Sequence, residues 1–103
     1  MKKARLKQRR ALFVDVDGTL TCGRMVNTPL VDWLRKKKSD GFYIALWSSR
    51  GIAHAEAAAD KAGITDILDA IIPKPTHIVD DKGWSWVKYT KRISHSANER
   101  ASC

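Results

Sequence analysis

Four places in this chain gather side chains able to bind or move charge: Asp15-Val16-Asp17-Gly18-Thr19, Ser48-Ser49-Arg50, Lys74-Pro75 and Asp80-Asp81. Asp15 and Asp80 each follow a short apolar run, and so does Ser48. A buried run that stops at acids or hydroxyls reads as a parallel strand delivering its carboxyl end to a loop, and neighbouring loops of that kind share one crevice. Four carboxylates, a lysine and a hydroxyl in one crevice repel one another unless a cation offsets the acids. Mg²⁺ suits that role, because it prefers oxygen ligands, keeps several waters and is commonly shared with a substrate phosphate. Taken singly, each piece has a plain structural explanation, as an Asp-Gly turn, a solvated acidic pair or a Lys-Pro loop. Their joint placement at successive strand ends favours a functional site.

The elements that must carry these residues alternate. Ala11-Leu12-Phe13-Val14 predicts a first strand. Thr28 and Pro29 predict a helix start, with Thr28 as N-cap, an apolar face from Leu30, Val31, Trp33 and Leu34, and a stop at Asp40-Gly41. Phe42 to Trp47 predicts a second strand. The alanine-rich stretch 52–62 predicts a second helix, ended by Gly63. Ala70-Ile71-Ile72 and His77-Ile78-Val79 predict two further strands. This is an α/β fold with a mainly parallel sheet flanked by helices. Its domain organisation reads as a basic arm at 1–10, a folded domain at 11–93 and a tail at 94–103.

Composition limits the function classes. The chain has 103 residues, 44% hydrophobic and 29% charged, enough for one modest core. No apolar run approaches the roughly 20 residues needed to span a bilayer, and no secretory leader is visible. The two cysteines, Cys22 and Cys103, make no disulfide framework, so a cytoplasmic location is expected. The net charge of +8 is unevenly spread. Residues 1–10 hold six basic side chains and no acid, residues 82–103 hold five against one, and the middle holds eight against ten. The fold is therefore slightly acidic with basic ends, which could attract a nucleic-acid backbone.

Phe13-Val14-Asp15-Val16-Asp17-Gly18-Thr19-Leu20-Thr21 resembles the signature loop of the haloacid dehalogenase-like superfamily of phosphotransferases. Leu46 to Arg50 resembles its second motif, Lys74-Pro75 its third and Val79-Asp80-Asp81 its fourth. Together these cover residues 11–82, about 70% of the chain. The resemblance implies a minimal Rossmann-like fold and a Mg²⁺-dependent phosphatase. Asp15 would be the nucleophile, and Asp17 the general acid and base as well as a metal ligand through its carbonyl. Thr19 would orient the loop, and Ser48, with Ser49 and Arg50, would bind the phosphoryl group. Lys74 would stabilise charge on the nucleophile and the transferring group. Asp80 and Asp81 would complete the metal site with Asp15, Asp81 being the better direct ligand.

About 28 residues separate Thr19 from Ser48, and they are consumed by a short flap, a helix and a strand. Neither that gap nor the one before Lys74 holds a cap domain. A capless relative of this superfamily would act on macromolecular ends, such as a polynucleotide phosphate, or close its site by oligomerising. A sugar phosphate or other small metabolite is the competing substrate, and a non-catalytic nucleic-acid-binding module is the competing class. His54, His77 and His95 share no metal-ligand spacing and read as structural or exposed. Trp33 and Trp47 read as core. Trp84 and Trp86 read as packed against the sheet, with stacking on a base as the alternative.

Overall fold

The computed structural model describes residues 10–93. Three strands, β1 (Ala11–Asp15), β4 (Tyr43–Ser48) and β5 (Ala70–Pro73), form one sheet in the order β1-β4-β5, all parallel. A small hairpin, β2 (Thr21–Cys22) and β3 (Met25–Val26), follows the first acidic loop. Helix α1 (Thr28–Ser39) connects β3 to β4, and α2 (Ile52–Ala62) connects β4 to a 3₁₀ turn at Thr65–Ile67 and then β5. A second 3₁₀ turn occupies Ser85–Tyr89. The protein is thus a small α/β fold. No helix among the described residues is long and apolar enough to cross a membrane.

Both crossovers step the same way along the sheet, so the right-handed rule sets α1 and α2 on one face. The register agrees, because Leu12 pairs with Ile44 and Val14 with Leu46, and partners in a parallel ladder point to the same side. Val14, Ile44 and Leu46 meet Leu30 and Leu34 of α1 and Ala55, Ala58 and Ala59 of α2 in one buried cluster. The small alanine face lets α2 lie close to β4. Arg35 of α1 then ties the two helices together, donating to both carboxylate oxygens of Asp66 at 3.0 Å and to the Gly63 carbonyl. The hydrogen bond to Asp66 holds that carboxyl below its ordinary range and the Arg35 guanidinium above its own.

The opposite face carries Phe13 paired with Ala45, and Trp47 paired with Asp15 and Ile72. Phe13 is 46% exposed, and its ring meets Trp47 edge-on at 4.9 Å. Trp47 therefore lies outside the core cluster, contrary to expectation, because the strand alternation sends it away from the helices. Trp33 does pack against the core.

The α1 cap also differs from the sequence reading. Asn27, not Thr28, is the N-cap, and its Oδ1 accepts from the Leu30 amide at 3.3 Å. Its Nδ2 donates to the Thr19 carbonyl at 3.0 Å, so one buried side chain holds both the helix start and the acidic loop. Asn27→Ala is expected to cost about 2 kcal/mol by loss of the cap and its loop bond. The melting temperature should fall by about 8–16 °C, measured by circular dichroism; an unchanged value would show that the cap adds nothing to stability. The end of α2 matches expectation, with Gly63 in the left-handed region that only glycine enters freely.

Residues 77–79 are not a strand. Pro75 lacks an amide to donate, and the Lys82 amide turns back to Asp80 Oδ1 at 2.8 Å, a local bond that competes with a ladder. Val79 is fully exposed. Among the described residues the parallel sheet therefore has three strands rather than four, and the outer edge of β1 is left without a strand beside it. Cys22 is buried, and Cys103 lies outside the described residues. The basic arm, apart from Arg10, and the tail at 94–103, with His95, also lie outside them.

Candidate functional site

The loop after β1 is shaped by its own backbone. Gly18, at φ 81°, turns the chain so that the Leu20 and Thr21 amides reach back to the Asp15 and Val16 carbonyls at 3.3 and 3.1 Å. Val16 and Leu20 anchor the loop in the core, while the Asp15 and Asp17 side chains stay accessible, about one third and one half exposed. The hairpin β2–β3 continues from this loop. Gly23 takes a positive φ at the first of its two turn positions, leaving Arg24 exposed at the tip.

The two carboxylates have separate partners. Lys74 Nζ lies 2.9 Å from Asp15 Oδ1, and Thr19 Oγ1 donates to Asp15 Oδ2 at 3.1 Å. Lys74 is placed by its own backbone, whose amide donates to the Ser48 carbonyl at 3.1 Å, and its ammonium stands 5.9 Å from the centre of the Trp47 ring. Asp17 instead faces α2. His54 Nε2 lies 3.0 and 3.2 Å from its two oxygens, and Arg50 Nη1 lies 3.7 Å from Oδ1. Parallel pairing of β1 with β4 is what brings the start of α2 beside the acidic loop.

His54 is the residue that sequence reasoning misses. Sharing no metal-ligand spacing with the other histidines, it reads as structural. The usable signal is its place in the first turn of the helix that follows Ser48, on a strand adjacent to β1. Ser48 itself is buried, and its Oγ accepts from the Arg50 amide at 3.0 Å, which braces the turn into α2. A hydroxyl that accepts one bond still has its own proton to donate. Ser49 and Arg50 are exposed at the mouth of the site.

Asp80 and Asp81 are exposed, with Asp80 engaged in its local turn. Among the described residues no group of three or more acidic, histidine or cysteine side chains forms, so this pair does not stand with Asp15 and Asp17 as a preformed cluster. The Asp15 carboxylate and the Asp17 carbonyl nevertheless fit Mg²⁺ as oxygen donors, since the ion commonly takes only one or two protein carboxylates and completes its shell with waters and substrate phosphate.

A groove of about 890 Å³ starts at this loop and follows β1 along its length. Leu30 and Trp33 of α1 line it, as do Trp47 and Lys74, and the C-terminal stretch contributes Trp86 and residues 90–93. Trp84 and Trp86 are exposed at 65% and 39%, with ring centres 6.3 Å apart, and Trp86 shares the groove lining with β1. Compared with protein-family models, curated proteins and solved structures, the chain has no match.

Proposed function

We propose that the protein is a Mg²⁺-dependent phosphatase of the haloacid dehalogenase-like type, hydrolysing a phosphate monoester through an aspartyl-phosphate on Asp15. The observation that carries the reading is the separation of the two loop carboxylates by their partners, Lys74 and Thr19 on Asp15 against His54 and Arg50 on Asp17. Two acids with different surroundings suit two different roles.

In this mechanism Thr19 and Lys74 fix the Asp15 carboxylate, and Lys74 spreads positive charge over the incoming phosphoryl oxygens. A carboxylate oxygen of Asp15 bonds to phosphorus as the ester oxygen leaves with its electron pair, and protonated Asp17 gives that oxygen its proton. The ionised Asp17 then takes a proton from water, whose oxygen attacks phosphorus and returns the Asp15 carboxylate with release of phosphate. His54 and Arg50 hold Asp17 in place for both transfers. Bound Mg²⁺, held by Asp15 and Asp17 with Asp80 or Asp81, would neutralise phosphoryl charge and let the two anions approach.

Removal of the metal tests the reading directly. The full-length protein is expected to release phosphate from a generic aryl phosphate with Mg²⁺ and to stop when EDTA is added. Folded protein without metal-dependent turnover anywhere between about pH 5 and 9, the range in which carboxylate and histidine chemistry operates, would rule the enzyme out.

A further inference from the structure

The groove along β1 is longer than a phosphoryl group requires. Five strand residues make its floor, so it extends roughly 13 Å from the Asp15–Asp17 loop to Ala11. Its walls combine flat rings with cations. Phe13 and Trp47 present one aromatic surface, Trp86 another, and Lys91 and Arg92 lie among the lining residues. Among the described residues, the acids in the lining are Asp15 and Asp17, at the end where the reaction is placed. Rings that accept any base face, interleaved with cations that track a backbone, are what a single-stranded nucleic acid requires. A small metabolite would leave most of this surface empty, and an acidic peptide lacks the succession of flat faces that the rings accept.

We propose that this groove binds the last nucleotides of a single-stranded nucleic acid, stacking bases on Phe13, Trp47 and Trp86, pairing backbone phosphates with Lys91 and Arg92, and directing the terminal phosphate toward Asp15. The direction of the strand's end rests on the phosphatase reading; the groove's occupancy does not. The basic residues at 1–9 add attraction of their own, but they are common to every variant compared below and cancel in the differences.

The test measures anisotropy of a labelled, end-phosphorylated single-stranded oligonucleotide with the full-length protein in EDTA, where hydrolysis is off, at a series of salt concentrations. Trp86→Ala is expected to weaken binding about 10-fold, and Trp86→Phe to recover most of the loss. Joint replacement Lys91→Ala with Arg92→Ala, at two exposed positions outside the core cluster, should weaken binding. It should also flatten the dependence of log K on log salt by about 1.4, at about 0.7 for each phosphate no longer neutralised. Affinity and slope unchanged in both variants would overturn the proposal. So would equal competition by a mononucleotide or by polyglutamate, which would assign the groove to a small ligand or an acidic peptide. An oligonucleotide bound through these residues but never dephosphorylated with Mg²⁺ would uphold the groove and defeat the phosphatase reading alone.

Discussion

Asp15→Asn should reduce turnover of an aryl phosphate below detection while the protein keeps its fold. The amide is nearly the same size as the carboxylate and can still accept from Thr19, but it is no nucleophile at phosphorus and cannot neutralise Lys74. Asp15 and Lys74 are each about one third exposed, so an unpaired ammonium can turn toward water and the stability cost stays small. Steady-state release of phosphate, with circular dichroism as the control for folding, reads the outcome. Mass spectrometry of rapidly quenched wild-type protein should show one added phosphoryl group, absent from the variant. Activity above about a tenth of wild type would refute a covalent step at Asp15, since general acid–base losses alone reach about 10²-fold or more.

Asp17→Asn separates the two half-reactions. Loss of a general acid and base should slow the full cycle by about 10²–10⁴-fold. The first step depends on the leaving group. Nitrophenolate departs without a proton, so phosphorylation of Asp15 by nitrophenyl phosphate should be nearly spared while attack by water is not. The variant should then give a burst of nitrophenol equal to one phosphoryl group per protein, followed by a slow phase. An alkyl phosphate, whose alkoxide needs a proton to leave, should show no burst and a larger loss. Equal losses on both substrates would place the acid elsewhere, with His54, the neighbour at 3.0 Å, the first group to examine.

The outline of the fold was legible because its determinants are local. Asp15-Val16-Asp17-Gly18 stops β1 by polarity, and Gly18 supplies the positive φ that the loop requires. The alanine run and Gly63 set both the extent of α2 and its left-handed end. Where two local signals compete, the sequence misled. Thr28 and Asn27 both suit an N-cap, and Asn27 wins because its amide nitrogen also reaches the Thr19 carbonyl, a partner eight residues away. Residues 77–79 have strand-like composition, yet three residues offer few ladder bonds, and the turn at Asp80 takes its hydrogen bonds locally.

The alternation of strands and helices up to β5, the residues left at the ends of β1 and β4, and a core built from Val14, Ile44, Leu46 and the α2 alanines are all written in the order of the amino acids. They follow from periodicity and backbone preference, which act over a few neighbouring residues. The motif resemblance already set Lys74 against Asp15, whereas the pairing of His54 with Asp17 and the turning of Phe13 and Trp47 away from both helices came from the assembled fold alone. Asp17 and His54 are 37 positions apart in the chain. Their meeting depends on the parallel register of β1 with β4 and on both helices choosing one side of the sheet, choices made by the packing of the whole core rather than by any one segment.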